Sequence, residues 1–392
     1  MNDFVFQAPT KVVFGKGAEN QVGQLCKEQG ATKVLVHFGG QSAKKSGLLD
    51  RVYASLDAAG IPYVSLGGVK PNPRLSLVYE GIELCKKEGV DFLLPVGGGS
   101  VIDSAKAIGY GLANDFDVWD LYDRKNTAKA CAPLGAVLTI AAAGSEMSDS
   151  SVITKEEGGI KRGYNCDLCR CKFAVMNPEL TYTLPAYQTA CGAADIMMHV
   201  MERYFVTEDT LALTDGMAEA LIRTVMENAP IALKEPENYK ARAEILWASS
   251  LAHNGLMNCG GPKGDWACHQ LEHELGGMFD VAHGAGLAAV WGSWARYVCG
   301  EKPQRFAQFA HRIFGIPCQG DAMETALKGI EAMEDFYRSI GMPVNIRELG
   351  CELTEEQIAT LAEKCCFGGR TIGLFKVLVK EDIREIYRMA KG

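Results

Sequence analysis

The sequence predicts an α/β domain on a parallel sheet over residues 1–184, followed by an all-α domain over residues 185–392. Three observations carry this. In the first part, short apolar runs alternate with helical stretches over short connections, the pattern of a parallel sheet covered on both faces. Two of the predicted strands run directly into glycine-rich turns. From Pro185 onward the apolar period is helical and no run of three strands occurs, which places the boundary at Leu184-Pro185. There is no internal repeat or low-complexity linker.

Taken in order, Phe4-Val5-Phe6-Gln7 and Lys11-Val12-Val13-Phe14 read as extended segments at the surface of the first domain. Helical spacing follows over 18–29 and ends at Gly30. A strand over 33–37 meets Phe38-Gly39-Gly40-Gln41-Ser42. A helix over 48–59, a strand over 62–66 and a helix over 75–88 lead to a strand over 92–96. That strand enters Gly97-Gly98-Gly99-Ser100, and a helix restarts over 101–109. An apolar run over 133–138 precedes the small-residue loop Ala141–Ser145. In the second domain, helices are predicted near 186–204, 209–232, 237–258, 265–277, 303–314, 321–339 and 380–390.

Composition narrows the function classes. The chain of 392 residues is 47% hydrophobic and 22% charged, ordinary for a globular protein, with a net charge of −8. That charge offers no basic field to nucleic acid or to an anionic membrane. No apolar run approaches a membrane span and Met1-Asn2-Asp3-Phe4 is not the charged start of a signal peptide, so a cytoplasmic location is expected. The 14 cysteines are scattered through a long chain, which argues for reduced thiols over a disulfide framework. Cys166, Cys169 and Cys171 include CxxC spacing, but no second pair with zinc-ribbon spacing accompanies them, and a structural or incidental role is expected.

The glycine turns carry the first chemical signal. Val96-Gly97-Gly98-Gly99-Ser100-Val101-Ile102-Asp103 is a strand, a turn and a helix start. Glycines there let a backbone approach a pyrophosphate, whose charge the helix N-terminus favours. It is neither the GxGxxG fingerprint nor a Walker loop, and a tight turn also needs glycines. Asp103 also suits the helix dipole as a first-turn acid. The turn at Gly39, Gly40 and Ser42 has the same setting. It carries no acid for a ribose 2′-hydroxyl and has Lys44 and Lys45 behind it, which favours NADP over NAD. A plain glycine turn with two solvated lysines is the competing reading.

The second signal lies in the helical half. Asp195 and His199 are four apart, as are His269 and His273, and Val281-Ala282-His283-Gly284 follows. On a helix that spacing puts both side chains on one face. Four of the seven histidines fall in this set. Imidazole and carboxylate are what zinc or ferrous iron takes. Two amphipathic helices with ordinary polar faces remain the alternative, and spacing alone does not separate His269 from His273. His253 and His311 have no partner at metal spacing, and packing explains them.

Together, GGGS, Gly144-Ser145-Glu146, Asp195-x3-His199, His269-x3-His273 and His283 resemble the iron-containing (group III) alcohol dehydrogenases. The match runs from Phe14-Gly15-Lys16-Gly17 to about His283, and Asp265-Trp266-Ala267-Cys268-His269 is most similar to the NADPH-dependent butanol dehydrogenase and aldehyde reductase branch. The resemblance implies a Rossmann-like dinucleotide-binding domain and a helical metal-binding domain, in the two-domain plan of dehydroquinate synthase. It implies Asp195, His199, His269 and His283 as ligands of one divalent metal, Fe(II) first, with Zn(II) or another ion as alternatives. His273 matches a catalytic non-ligand histidine beside the nicotinamide. Gly97, Gly98, Gly99 and Ser100 match the pyrophosphate loop; Asp103, Asn72, Thr139 and Lys161 match further cofactor contacts. Gly39, Gly40 and Ser42 match the loop that accepts a 2′-phosphate. Where the branch commonly has Pro and Thr, this chain has Ala141 and Ala143.

The activity so implied is NADP(H)-dependent interconversion of small primary alcohols and aldehydes, of the butanol and butyraldehyde type, by a homodimer. A divalent ion would act as Lewis acid on the substrate oxygen while the nicotinamide exchanges hydride. The alternative is a dehydroquinate synthase-like or glycerol dehydrogenase-like metal enzyme using NAD, against which stand the Asp-x3-His arrangement and the acid-free turn. A non-catalytic scaffold would have no reason to keep four ligands and both turns.

Overall fold

Short apolar runs bounded by glycine become the strands of the first unit. The computed structural model describes residues 1–206, 210–318 and 320–392. The chain divides into Gln7–Leu184, and Pro185–Gly392 together with Met1–Phe6. Apart from short 3-10 turns, the first unit runs β1 (Lys11–Phe14), α1 (Val22–Glu28), β2 (Val34–Phe38), α2 (Ser42–Lys45), α3 (Leu48–Ala59), β3 (Tyr63–Leu66), α4 (Leu75–Glu88), β4 (Phe92–Gly97) and α5 (Gly99–Ala113). It continues with α6 (Trp119–Tyr122), β5 (Ala136–Leu138), β6 (Ser150–Lys155), β7 (Ile160–Asn165) and β8 (Phe173–Met176).

Six strands form one parallel sheet in the order β1-β8-β5-β4-β2-β3. Every residue of the inner strands β2 and β4 is buried, as expected of strands covered on both faces. From β2 the chain moves outward to β3, then returns past β2 to lay down β4 and β5 on the other side. The order therefore switches between β2 and β4, and the crevice beyond the carboxyl ends of two such strands is where α/β sheets take ligands. The glycine turns after Phe38 and Gly97 flank that crevice.

His37 secures the crevice from below. It is fully buried at the end of β2, with Nδ1 2.9 Å from Leu66 O and Nε2 2.9 Å from Ser104 Oγ. The carbonyl can only accept, so Nδ1 donates to Leu66 and Nε2 accepts from the Ser104 hydroxyl. Burial pushes its pKa down to about 4. A neutral imidazole thus ties β2, β3 and α5 together.

The second unit is helical: α7 (Ala186–Tyr204), α8 (Ala212–Lys234), α9 (Tyr239–His253), α10 (Ala267–Phe279), α11 (His283–Val298), α12 (Pro303–Phe314), α13 (Ala322–Ser339), α14 (Glu355–Cys365) and α15 (Lys380–Ala390). The predicted start of the 209–232 helix at Asp209 lies outside the described residues. The helix predicted over 237–258 stops at His253, and Gly255 follows at φ 98°.

Other expectations are corrected. Phe4–Gln7 is exposed, but Met1–Phe6 groups with the helical unit and not with the first domain, and Asn2 N–H donates to Gly260 O at 2.8 Å. The hairpin β6–β7 and strand β8 were unassigned. So were α11 and α14; α11 is buried almost all round, which erases the one-sided apolar stripe that marks a helix.

The C-terminal end of α7 is fixed by Arg305 of α12. Its Nη1 and Nη2 donate to Asp215 Oδ2 and Oδ1 at 2.6 and 2.8 Å, and Nε and Nη2 donate to Tyr204 O at 2.9 and 2.8 Å. The guanidinium also lies 3.8 Å from the Tyr204 ring centroid. Arg305→Met strands the buried Asp215 carboxylate and should destabilise the helical unit by about 3–5 kcal/mol, read by urea unfolding; a change under 1 kcal/mol would contradict this.

Candidate metal centre

Small residues let three helix segments meet. Cys191-Gly192-Ala193-Ala194 on α7 present little side chain, and the first turn of α11 packs on it so closely that a Cβ at Gly284 would lie 2.0 Å from Cys191 O. α10 starts at a strained point. Trp266, its N-cap, has φ 63°, a region a bulky residue rarely adopts. Asp265 holds that turn: Oδ1 accepts from Ala267 N–H at 3.0 Å, and Oδ2 from Leu374 and Phe375 N–H at 2.6 and 2.7 Å.

Asp195 and His199 of α7 and His269 of α10 converge, with one ligand atom from each lying within 4.8 Å of the others. Asp195 Oδ1 is 3.2 Å from His199 Nδ1, 3.8 Å from His269 Nε2 and 3.7 Å from His283 Nε2. The backing fixes how the rings are protonated. His269 Nδ1 donates to Glu202 Oε1 at 3.0 Å, His199 Nδ1 to Asp195 O at 3.0 Å, and His283 Nδ1 to Glu272 Oε2. Carboxylates and carbonyls only accept, so Nδ1 is the donor in each of these bonds.

Two buried atoms at this centre, Asp195 Oδ1 and His269 Nε2, have no hydrogen-bond partner. Burial works against a charged His269, yet the nearby carboxylates of Asp195 and Glu202 outweigh it and carry its pKa up to about 9. His199 is held well below its usual value, first by burial and then by the rings of His253 and His269. Asp195 with the imidazoles of His199 and His269 clustered about it, and His283 Nε2 3.7 Å from Asp195 Oδ1, are a donor set that suits a divalent cation.

His273 stays outside this triad. Its ring centroid lies 6.5 Å from that of His269, and it groups instead with Glu272 and His283. The His269/His273 pair therefore does not share one point, which spacing could not decide. Glu202 and Glu272 were given no role from the sequence. The available signal was Glu202 on the Asp195–His199 face, two turns on from Asp195, and Glu272 between His269 and His273. His253 packs as expected, but against His199, with ring centroids 4.1 Å apart.

The glycine turn after β4 is close-packed against the protein itself, whereas a Cβ at Gly40 would meet nothing within 4 Å. A Cβ at Gly98 would lie 2.0 Å from Ile140 Cγ2, and one at Gly97 2.5 Å from Val101 Cγ2. Ser100 lies in the first turn of α5, and Thr139 N–H donates to Gly97 O at 3.1 Å. Asn72, at φ 53°, and Lys161 are buried; Gly40 and Ser42 are exposed. Asp103 is tied to protein: Oδ1 accepts from Ser145 Oγ at 2.6 Å and Oδ2 from Val152 N–H at 2.9 Å. Lys106, also without a role from the sequence, is fully buried and donates to Ser145, Ser148 and Ser150 carbonyls at 2.7, 2.9 and 2.8 Å. Cys166, Cys169 and Cys171 are free thiols and form no metal-ligand group among the described residues.

The family model for iron-containing alcohol dehydrogenase matches residues 9–178, and that for the Fe-containing alcohol dehydrogenase family, C-terminal, matches residues 189–391. The chain belongs to the iron-containing alcohol dehydrogenase family. It is 41% identical to the probable NADH-dependent butanol dehydrogenase 1 of Bacillus subtilis, over 99% of both chains. Against the NADPH-dependent aldehyde reductase YqhD of Escherichia coli it is 34% identical, covering 100% of each. The crystal structure of NADH-dependent butanol dehydrogenase A from Thermotoga maritima superposes with a TM-score of 0.96 at 40% identity, covering 100% of this chain and 99% of that one. As a member of this family the chain is an alcohol and aldehyde oxidoreductase that works with a nicotinamide cofactor and with iron or another divalent metal.

Two variants test the centre without touching a ligand. Glu202→Gln weakens the acceptor behind His269 and should lower metal affinity about 10–100-fold, measured by chelator competition. Gly284→Ala should force α11 from α7, move His283 away from Asp195 and lower bound metal per chain. Unchanged metal content in the Gly284→Ala protein would show that the close approach does not set the site.

Proposed function

We propose that the protein is a metal-dependent NADP(H) alcohol dehydrogenase and aldehyde reductase acting on small primary alcohols and aldehydes. The observation that carries this reading is the pair of orphaned, buried ligand atoms, Asp195 Oδ1 and His269 Nε2, inside a ring of imidazoles. Asp195, His199, His269 and His283 are the residues that would hold the ion. When bound, the ion supplies Lewis acidity toward the substrate oxygen, and the nicotinamide supplies or accepts hydride.

The chain's own residues supply position and proton handling. Glu202 and Glu272 hold the rings of His269 and His283 in orientation. Gly97, Gly98, Gly99 and Ser100 give the pyrophosphate a bare backbone and a helix N-terminus. Asn72, Thr139 and Lys161 are proposed as further cofactor contacts, with Asp103 acting through Ser145 and the hairpin it holds. His273, beside the ligand set and outside it, is the proposed proton carrier. His273→Ala should lower turnover about 100-fold with metal content unchanged; loss of metal in this variant would make it a ligand.

The substrate class follows that of the relatives, butanol dehydrogenases and an aldehyde reductase. Cofactor choice has two readings. The acid-free turn Gly39-Gly40-Gln41-Ser42, followed by Lys44 and Lys45, supports NADP(H), while the NADH-dependent names of two relatives support NAD(H). Oxidation of NADPH and NADH with butyraldehyde, with and without chelator, decides both questions. The proposal expects chelator-sensitive activity and at least about 10-fold higher kcat/KM with NADPH. Equal or better use of NADH would favour the second reading. A homodimer is also proposed, because Phe4, Val5 and Phe6 are exposed and β1 is an edge strand. No helix among the described residues is long and apolar enough to cross a membrane.

A further inference from the structure

The hairpin β6–β7 carries a buried hydroxyl with nothing to bond. Thr154 is 1% exposed, and its Oγ1 has no hydrogen-bond partner. Burying a hydroxyl unpaired is costly, and valine would fill the same volume without the cost, so packing does not explain the residue. Its backbone is well anchored. Thr154 N–H donates to Pro73 O at 2.8 Å, and the residue bridges to Arg74, which sets it beside the Asn72-Pro73 turn.

Across the hairpin Thr154 pairs in register with Lys161, so the two side chains share one face with Val152. Lys161 and Asn72 are themselves buried. Asp103 pins this hairpin to the first turns of α5: its Oδ2 accepts from Val152 N–H at 2.9 Å and its carbonyl from Ser151 Oγ at 2.9 Å. The Thr154 face is thereby held in fixed relation to the glycine turn that opens α5.

We infer that the Thr154 hydroxyl donates a hydrogen bond to a ribose or phosphate oxygen of the bound dinucleotide, on the face it shares with Lys161. This rests on the proposed reading of Asn72 and Lys161 as cofactor contacts. A hydroxyl beside an ammonium and a carboxamide is a set suited to such oxygens, and it explains why the group is buried without a protein partner.

The test compares T154V, T154S and K161A in the full-length, metal-loaded protein, with NADPH affinity followed by nicotinamide fluorescence. T154V should raise Kd about 5–10-fold, the worth of one hydrogen bond, while T154S stays within about twofold of the parent. In the absence of cofactor T154V should unfold at the same or a higher temperature than the parent, since it removes an unpaired buried group. A hydroxyl serving only the fold would lower that temperature instead. The inference is overturned by unchanged affinity in T154V, by equal weakening in T154S, or by a lower unfolding temperature without cofactor. If K161A weakens binding and T154V does not, the assignment of Thr154 alone falls. If K161A also binds as the parent does, the reading of the whole face falls with it.

Discussion

One carboxylate oxygen sets the terms for the helical unit. Asp195 Oδ1 is buried, no protein donor reaches it, and nitrogens of three imidazoles stand 3.2 to 3.8 Å away. A buried carboxylate without a counter-charge is among the most costly groups a core can hold. Here the Nδ1 groups of the surrounding rings are engaged by Glu202, by Glu272 and by the α7 backbone. The centre is therefore rich in acceptors, an environment suited to a bound cation.

The rest of the unit serves that geometry at some cost to itself. Glu202 and Glu272 bring two more buried acids close to the site. Trp266 sits in left-handed backbone so that α10 starts where His269 can reach Glu202, and Gly284 gives up its side chain so that α11 can touch α7. Arg203 adds a buried cation, donating to His199 O at 2.6 Å and lying 4.5 Å from the Trp266 ring centroid. A strained tryptophan, an Arg, two backing acids and a glycine have no shared packing purpose. They have a shared positional one.

How much of this was legible in the sequence depended on periodicity. The inner strands announced themselves because both faces are apolar, and α7 was readable from end to end. Hairpin β6–β7 was not: Ser150–Lys155 and Ile160–Asn165 are rich in polar residues and show no apolar alternation to mark a core-facing strand. α11 was hidden by the opposite fault, too many buried small and apolar residues for a stripe to show. At the metal centre, spacing found the histidines but could not rank His269 over His273, because that choice rests on Glu202, far away in sequence. Phe4–Gln7 reads as an extended segment of the first domain, yet Met1–Phe6 belongs with the helical unit, a long-range placement that local residues do not encode.

One contrast separates several of the buried polar groups. His37 and Lys106 are buried and completed by protein: an imidazole between a carbonyl and a hydroxyl, and an ammonium among three carbonyls. Asp103 likewise spends both oxygens on Ser145 and Val152. Groups of this kind are architecture, since removing a partner leaves a debt inside the fold. Asp195 Oδ1, His269 Nε2 and Thr154 Oγ1 are equally buried and have no such completion. A folded chain tolerates such groups where a ligand completes them, and these fall at a convergent donor set and on a face beside a glycine turn. The same physical argument thus links the candidate metal centre to the proposed cofactor face.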